Sequence, residues 1–222
     1  MIGIQKDQIK EFCKSTELCA RITDIRFDVD QIKQDVLSVC EQYKPVSKDR
    51  QSRYEALGLQ YHDKNNPYYD CIESTRYIDE NHVSKIESQS FSDFDQWNEA
   101  GEKLYHLAKP IYDLGHKLYR TRILVARDNY ESLRHVDYDW RYHIPVQTNE
   151  QCYLEYDSRK VHLPADGHAY LINAGFMHKF VNWSTQPRYH YCGILSLPNT
   201  GDGLFLHSLQ QGNKTPLDYL YT

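Results

Sequence analysis

The sequence predicts a mainly β-stranded protein with helical support. Two observations lead to this fold class. After residue 120, apolar and polar residues alternate in short segments, and Asn, Asp, Gly and Pro separate these segments. Before residue 121, apolar residues instead recur every three or four positions, as they do in an amphipathic helix. Short strands at such close spacing are typical of an antiparallel sandwich or a small barrel.

The first 120 residues are predicted to form a helical and loop-rich region that supports the barrel and covers its mouth. Ser92 can cap the last of its helices, and Pro110 is expected to kink it. Residues 44–90 are expected to form long loops with a strand or two near 54–61. The predicted helices, including a central one that packs against the sheet, cover residues 6–20, 28–43 and 91–119.

The barrel itself is predicted in residues 121–200, followed by a C-terminal tail at 201–222. At 222 residues, the chain is long enough to bury a core without disulfides. The alternation of apolar and polar residues places the predicted strands at 121–126, 141–148, 151–156, 160–163, 169–172, 178–183 and 189–197.

Composition narrows the class of protein. The formal net charge of −5 weighs against nucleic acid as a partner, because the chain offers no general attraction to phosphate backbones. No apolar run approaches the roughly 20 residues of a membrane span, and the N-terminus is too polar for a secretory signal. The six cysteines show no C-x-x-C spacing and are predicted to be free thiols. We therefore expect a cytoplasmic protein.

One pair of residues suggests a metal site. Non-haem iron oxygenases bind their metal through two imidazoles and one carboxylate, and they leave the other positions open. His135 and Asp137 are two residues apart, so on an extended segment both side chains point to the same side. Such a pair is expected by chance in a chain with 11 histidines, and Asp139 shares the same face as an alternative carboxylate. The pair therefore needs support from its context.

That support comes from residues 175–188. His178 opens one predicted strand there, and Arg188 opens the next. A hairpin of this length can bring Arg188 beside the metal pocket, where a guanidinium can bind the far carboxylate of a dicarboxylic acid bidentately. The order His135-x-Asp137, then His178, then Arg188 is the pattern of the 2-oxoglutarate oxygenases.

The runs 133–149 and 167–178 resemble the aspartyl/asparaginyl β-hydroxylase family of Fe(II)- and 2-oxoglutarate-dependent oxygenases, whose bacterial relatives include free proline hydroxylases. In that family an Arg-x-His on the next strand follows the first metal histidine, as Arg141-x-His143 does here. The resemblance covers about a third of the chain. It implies a double-stranded β-helix, a jelly-roll and cupin-like barrel, with packing helices.

The same resemblance implies the roles of the site residues. His135, Asp137 and His178 would bind Fe(II), and Arg188 would bind the distal carboxylate of 2-oxoglutarate. Arg141 and His143 would line the same pocket, although a charge pair on the outer face of the sheet has the same spacing. The implied reaction hydroxylates an unactivated C–H bond of an amino acid, free or peptide-borne, and releases succinate and CO2. Because Asp137 leaves no vacant position for a halide, hydroxylation is expected rather than halogenation.

Some assignments stay open at this stage. Arg122 can bind a substrate carboxylate or form a surface salt bridge, and Asn182 can contact a ligand or be an ordinary polar strand residue. Two other functions also remain: a non-catalytic barrel that binds a metal or small molecule such as a sugar, and a scaffold for a protein partner. Tyrosines of the N-terminal region are candidates to cover the substrate, namely Tyr54, Tyr61, Tyr68 and Tyr69.

Overall fold

A computed structural model describes residues 1–47, 53–62, 64–65, 67–68, 77–78, 84–85, 94–135, 137, 140–157 and 159–196. Within these residues, an eight-stranded and a four-stranded sheet enclose a cavity lined by both. In chain-order numbering, the larger sheet runs β1 (Ile2–Ile4), β2 (Cys19–Arg26), β14 (His168–Asn173), β11 (Trp140–Gln147), β16 (Arg188–Ser196), β9 (Lys117–Ala126), β4 (Tyr54–Gly58) and β3 (Val46–Ser47).

The smaller sheet completes the barrel. Its strands, in spatial order, are β10 (Tyr130–Glu131), β15 (Lys179–Asn182), β12 (Cys152–Tyr156) and β13 (Arg159–Val161). All neighbours in both sheets are antiparallel except β1 and β2. Two short strand pairs lie outside these sheets: β5 (Gln60–Tyr61) with β8 (Gln96–Trp97), and β6 (Tyr77–Ile78) with β7 (Ser84–Lys85). This architecture is the predicted jelly roll.

The described helices are short except for one. A 3₁₀ turn (Lys6–Gln8) leads into α1 (Ile9–Phe12), and the longest helix is α2 (Val29–Tyr43). The central helices are α3 (Glu99–Lys103) and α4 (Tyr105–Tyr112). None of the helices in the described ranges is long and apolar enough to cross a membrane.

Alternation along the strands decides which side chains face the cavity. On β11, Tyr142 and Ile144 join a core cluster that contains residues of α2 and α4, and the Tyr142 hydroxyl donates to the Leu107 carbonyl at 3.1 Å. The intervening residues Arg141 and His143 therefore point the other way, into the cavity. The predicted packing of a central helix against the sheet is thus confirmed.

The predicted helix at 6–20 is wrong beyond Phe12. Residues 19–26 form β2, which pairs with β14 in the large sheet. Ala20 and Ile22 are fully buried while Arg21 is exposed, which is the alternation of a strand covered on one face. The region before residue 121 therefore contributes strands to the sheet that carries the cavity.

The predicted helix at 91–119 is also too long. Residues 91–93, with the expected cap Ser92, lie outside the described residues. The Asn98 side chain caps α3 by accepting a hydrogen bond from the Gly101 amide at 2.8 Å. Leu104 interrupts the helix well before Pro110, which lies within α4, and β9 begins at Lys117.

The strand predictions after residue 120 agree with the structure, with β9 starting four residues early and β10 added between two predicted strands. The five cysteines within the described residues are free thiols, as predicted; Cys71 lies outside these residues.

Candidate metal centre

Backbone hydrogen bonds place the two predicted metal histidines opposite one another. The His135 amide donates to the His178 carbonyl at 2.9 Å, and the His178 amide donates back at 3.0 Å. Their ring centroids are 4.6 Å apart. The Asp137 amide donates to the Ala174 carbonyl at 2.9 Å, which attaches the third residue to the end of β14. A narrow antiparallel bridge therefore holds all three residues.

Both imidazoles make the same local contact. The Nδ1 atom of His135 is 2.8 Å from the Leu133 carbonyl oxygen, and that of His178 is 2.8 Å from the Phe176 carbonyl oxygen. A ring that donates from Nδ1 to a carbonyl keeps a lone pair on Nε2, which is the arrangement of metal-binding histidines. The Nε2 atom of His135 lies 3.8 Å from the Asp137 carboxylate.

The three residues offer a donor set that fits a single metal ion. One potential ligand atom from each of His135, Asp137 and His178 lies within 4.8 Å of the others. Two imidazole nitrogens and one carboxylate oxygen are the donor set of non-haem Fe(II) sites with open positions. Asp139, the alternative carboxylate, lies outside the described residues.

Charges around the cluster keep its groups in the states that bind a metal. Burial tends to raise the pKa of Asp137, but the charge of Arg141, followed by those of His135 and His178 when they are protonated, outweighs it and holds that pKa well below its usual value. Arg141 Nη2 lies 3.4 Å from the carboxylate. Burial, followed by His135, lowers the pKa of His178 to about 4. At neutral pH, Asp137 is thus ionised and His178 is neutral.

A cavity of about 190 Å³ extends from this cluster between the sheets. Aromatic rings border it: Tyr54 stacks on Tyr130 with centroids 5.4 Å apart, and Tyr130 stacks on Phe180 at 6.3 Å. Among the described lining residues, Asp137 is the only carboxylate, whereas the cationic side chains are Arg122, Arg141 and Arg188.

Arg188 is buried at the start of β16, as its predicted role requires. Its guanidinium carbon lies 3.8 Å from the centre of the Phe180 ring, and Nη2 is 2.6 Å from Nδ1 of His190. Burial lowers the Arg188 pKa to about 10, so the side chain still carries its charge at neutral pH.

Arg141 and His143 both line the cavity rather than the outer face of the sheet. Arg141 is the ion-pair partner of Asp137 described above. Both nitrogens of His143 contact other side chains: Nδ1 lies 3.3 Å from Nδ1 of His190, and Nε2 lies 3.3 Å from Sγ of Cys192.

Of the two residues left open by sequence, Arg122 lines the cavity and Asn182 does not. Asn182 is fully buried at the end of β15, where the turn to β16 begins. Its amide nitrogen donates to three carbonyl oxygens, and its amide oxygen accepts from Ser184 and from the Cys152 thiol. These side-chain contacts hold the start of the turn.

Sequence reasoning passed over His190 and Cys192. Arg188, His190 and Cys192 alternate along β16 and share its inner face. Because residues two apart on a strand point to the same side, an inward Arg188 would have indicated that His190 and Cys192 also point inward. Of the candidate tyrosines, Tyr54 lines the cavity, and Tyr69 lies outside the described residues.

Comparisons with known proteins support the fold. No family model and no curated protein match the sequence. Among solved structures, an oxidoreductase of the 2OG-Fe(II) oxygenase family from Burkholderia pseudomallei is similar with a TM-score of 0.51 and 10% identity, covering 88% of this chain and 94% of that one. The non-haem α-ketoglutarate-dependent carbocyclase SnoK from nogalamycin biosynthesis is similar with a TM-score of 0.51 and 10% identity, covering 86% and 84%. This chain therefore has the jelly-roll fold found in these oxygenases.

Proposed function

We propose that this chain is an Fe(II)- and 2-oxoglutarate-dependent dioxygenase that hydroxylates a C–H bond of an amino acid, free or within a peptide. One observation carries the proposal. Two imidazoles and a carboxylate form a cluster in the cavity, and a buried arginine lines the same cavity. The first fits Fe(II), and the second fits the distal carboxylate of a dicarboxylic co-substrate. The fold shared with known oxygenases supports it.

The metal-binding residues would be His135, Asp137 and His178. Bound there, Fe(II) would supply the oxygen chemistry, in which oxidation of 2-oxoglutarate to succinate and CO2 is coupled to hydroxylation of the substrate. The carbonyls of Leu133 and Phe176 orient the two imidazoles by accepting from Nδ1. The presence of a carboxylate at Asp137 favours hydroxylation over halogenation, because a halide would need that position.

Arg188 would hold the distal carboxylate of the co-substrate in the same cavity. Its guanidinium lies against the Phe180 ring, and the residue is buried. An ion pair between a guanidinium and a carboxylate is stronger where water is excluded. Arg188 and Phe180 would position the distal carboxylate of the co-substrate, and the metal cluster would position its reactive end.

The direct test is anaerobic addition of Fe(II) and 2-oxoglutarate to the protein. We expect a visible metal-to-ligand charge-transfer band, and in air we expect succinate to form. Metal binding without the band and without succinate would instead support a non-catalytic cupin-like barrel. Absence of metal binding would contradict both functions.

The charges of the cavity suggest the substrate class. Arg122 lines the cavity together with Arg141 and Arg188 and adds a third guanidinium to the described lining. An anionic group on the substrate is favoured near Arg122 in such a cavity. We therefore infer that the substrate carries a free carboxylate, as an amino acid or a peptide C-terminus does.

Replacing Arg122 by glutamine tests this substrate class. We expect kcat/KM for a carboxylate substrate to fall about 10- to 100-fold, which corresponds to the loss of a hydrogen bond between charged groups. The carboxamide form of the same substrate should be used poorly by the wild type and should lose little more in the variant. The affinity for 2-oxoglutarate serves as the control and should change less than about threefold. An equal loss for both substrates would contradict the assignment.

A further inference from the structure

A buried hydrogen-bonded chain joins three residues that line the cavity to His190, which lies behind them. Arg188, His190 and Cys192 share the inner face of β16, and His143 lies opposite Cys192 on β11. The contacts run from Cys192 Sγ to His143 Nε2 at 3.3 Å, from His143 Nδ1 to His190 Nδ1 at 3.3 Å, and from there to Arg188 Nη2 at 2.6 Å. All four residues are at most 7% exposed.

A single assignment of protons satisfies all three contacts. Arginine can only donate, so His190 Nδ1 must be an acceptor and the ring proton must lie on Nε2. His143 Nδ1 is then a second and weaker donor, at 3.3 Å, that shares the single lone pair of this nitrogen with Arg188. This leaves His143 Nε2 to accept from the Cys192 thiol. Both imidazoles are therefore neutral. Burial, followed by the charge of Arg188, lowers the pKa of each well below its usual value, which agrees with this assignment.

Packing alone does not account for a histidine at position 190. The residue is 1% exposed, and it is not among the residues that line the cavity. Among the described residues, no group lies within hydrogen-bonding distance of its Nε2 atom. Burying an unpaired N–H costs free energy, and an apolar side chain would avoid that cost. An apolar side chain at position 190 could not accept the hydrogen bond that Arg188 donates to Nδ1.

The Arg188 guanidinium is held from two sides. His190 Nδ1 accepts from Nη2, and the Phe180 ring lies 3.8 Å from the guanidinium carbon. Among the described residues, His190 is the only hydrogen-bond partner of the Arg188 guanidinium. The remaining N–H groups stay available for a ligand in the cavity that Arg188 lines.

We propose that His190 is a positioning residue that orients Arg188 and thereby sets the affinity for the distal carboxylate of the co-substrate. This inference rests on the proposed function. Two residues would then distinguish a dicarboxylic from a monocarboxylic 2-oxo acid. Arg188 would contact the ligand, and His190 would orient Arg188 from behind. Preorganisation of a charged group in this way favours binding because the side chain need not be ordered when the ligand arrives.

The test compares His190→Leu with His190→Asn. Leucine removes the acceptor, whereas the amide oxygen of asparagine can take the place of Nδ1. Dissociation constants are measured anaerobically with Fe(II) from the charge-transfer band, for 2-oxoglutarate and for 2-oxovalerate, which lacks the distal carboxylate. For 2-oxoglutarate, we expect His190→Leu to raise the constant at least about tenfold and His190→Asn to raise it less than about threefold. For 2-oxovalerate, neither variant should change it by more than about twofold.

The outcomes separate this inference from the proposed function. If wild-type protein gives no charge-transfer band with 2-oxoglutarate, the proposed function fails. If the band appears but His190→Leu leaves both constants unchanged, or raises both equally, the positioning role of His190 is wrong. Should the leucine variant not fold, His190→Gln, whose amide lies near the position of Nε2, replaces it and should behave as the leucine variant is expected to.

Discussion

Replacing Asp137 by alanine is expected to reduce succinate formation by at least about 1,000-fold, equivalent to about 4 kcal/mol in the activation barrier. Asp137 is the only carboxylate among the described lining residues, and its loss removes the single anionic ligand of the cluster. It also removes the carboxylate that lies 3.4 Å from Arg141, so the positive charge of this side chain beside the metal position loses its ion pair with Asp137. The variant should therefore bind Fe(II) much more weakly, and anaerobic equilibrium dialysis measures this directly.

Two other aspartate variants show whether the loss of metal binding and turnover is specific to Asp137. Asp128→Ala removes a half-exposed carboxylate that pairs with Arg53 at 3.3 Å, outside the cavity, and should leave turnover unchanged. Asp139→Ala tests the alternative carboxylate next to Asp137 in sequence and is expected to retain metal binding. If Asp139→Ala abolishes metal binding while Asp137→Ala does not, the ligand assignment is wrong.

Replacing Asn182 by aspartate is expected to lower the free energy of unfolding by about 3–5 kcal/mol, because it buries a charge without a partner. The side chain is fully buried, and the substitution keeps its shape but exchanges the NH2 group for an oxygen. That oxygen would then face the carbonyl oxygens to which the NH2 group now donates at 2.9–3.0 Å, those of Ala126, Arg127 and Gln186.

Asn149→Asp is the matched control. Asn149 is half-buried in the same part of the barrel and donates a single side-chain hydrogen bond, to the Ser184 hydroxyl at 2.9 Å. Its replacement should lower the free energy of unfolding, measured with urea at neutral pH, by no more than about 1 kcal/mol. Equal losses for the two variants would show that the hydrogen bonds of Asn182 do not stabilise the fold. A selective loss of co-substrate affinity in folded Asn182→Asp would instead return Asn182 to the ligand site.

Local patterns explain where sequence reasoning succeeded on the fold. Along β11, Tyr142 and Ile144 alternate with Arg141 and His143, and this period of two reflects the geometry of a single strand. The same logic failed for β2, where residues 6–20 were predicted as one helix. β2 belongs to the sheet because β14 pairs with it, and that pairing joins residues about 150 positions apart, as in Ala20 with Leu171. Its buried face packs in the core cluster that contains residues of α2.

The candidate site also contains features that the sequence predicts and features that only the tertiary structure decides. The sequence by itself determined that His135 and Asp137 share a face, because two residues on an extended segment point to the same side. It also indicated His178 and Arg188 through their spacing. Only the tertiary structure decided that His143 contacts His190 and Cys192, because both contacts depend on the register between β11 and β16. Register joins residues far apart in the chain, and no local pattern in either strand specifies it.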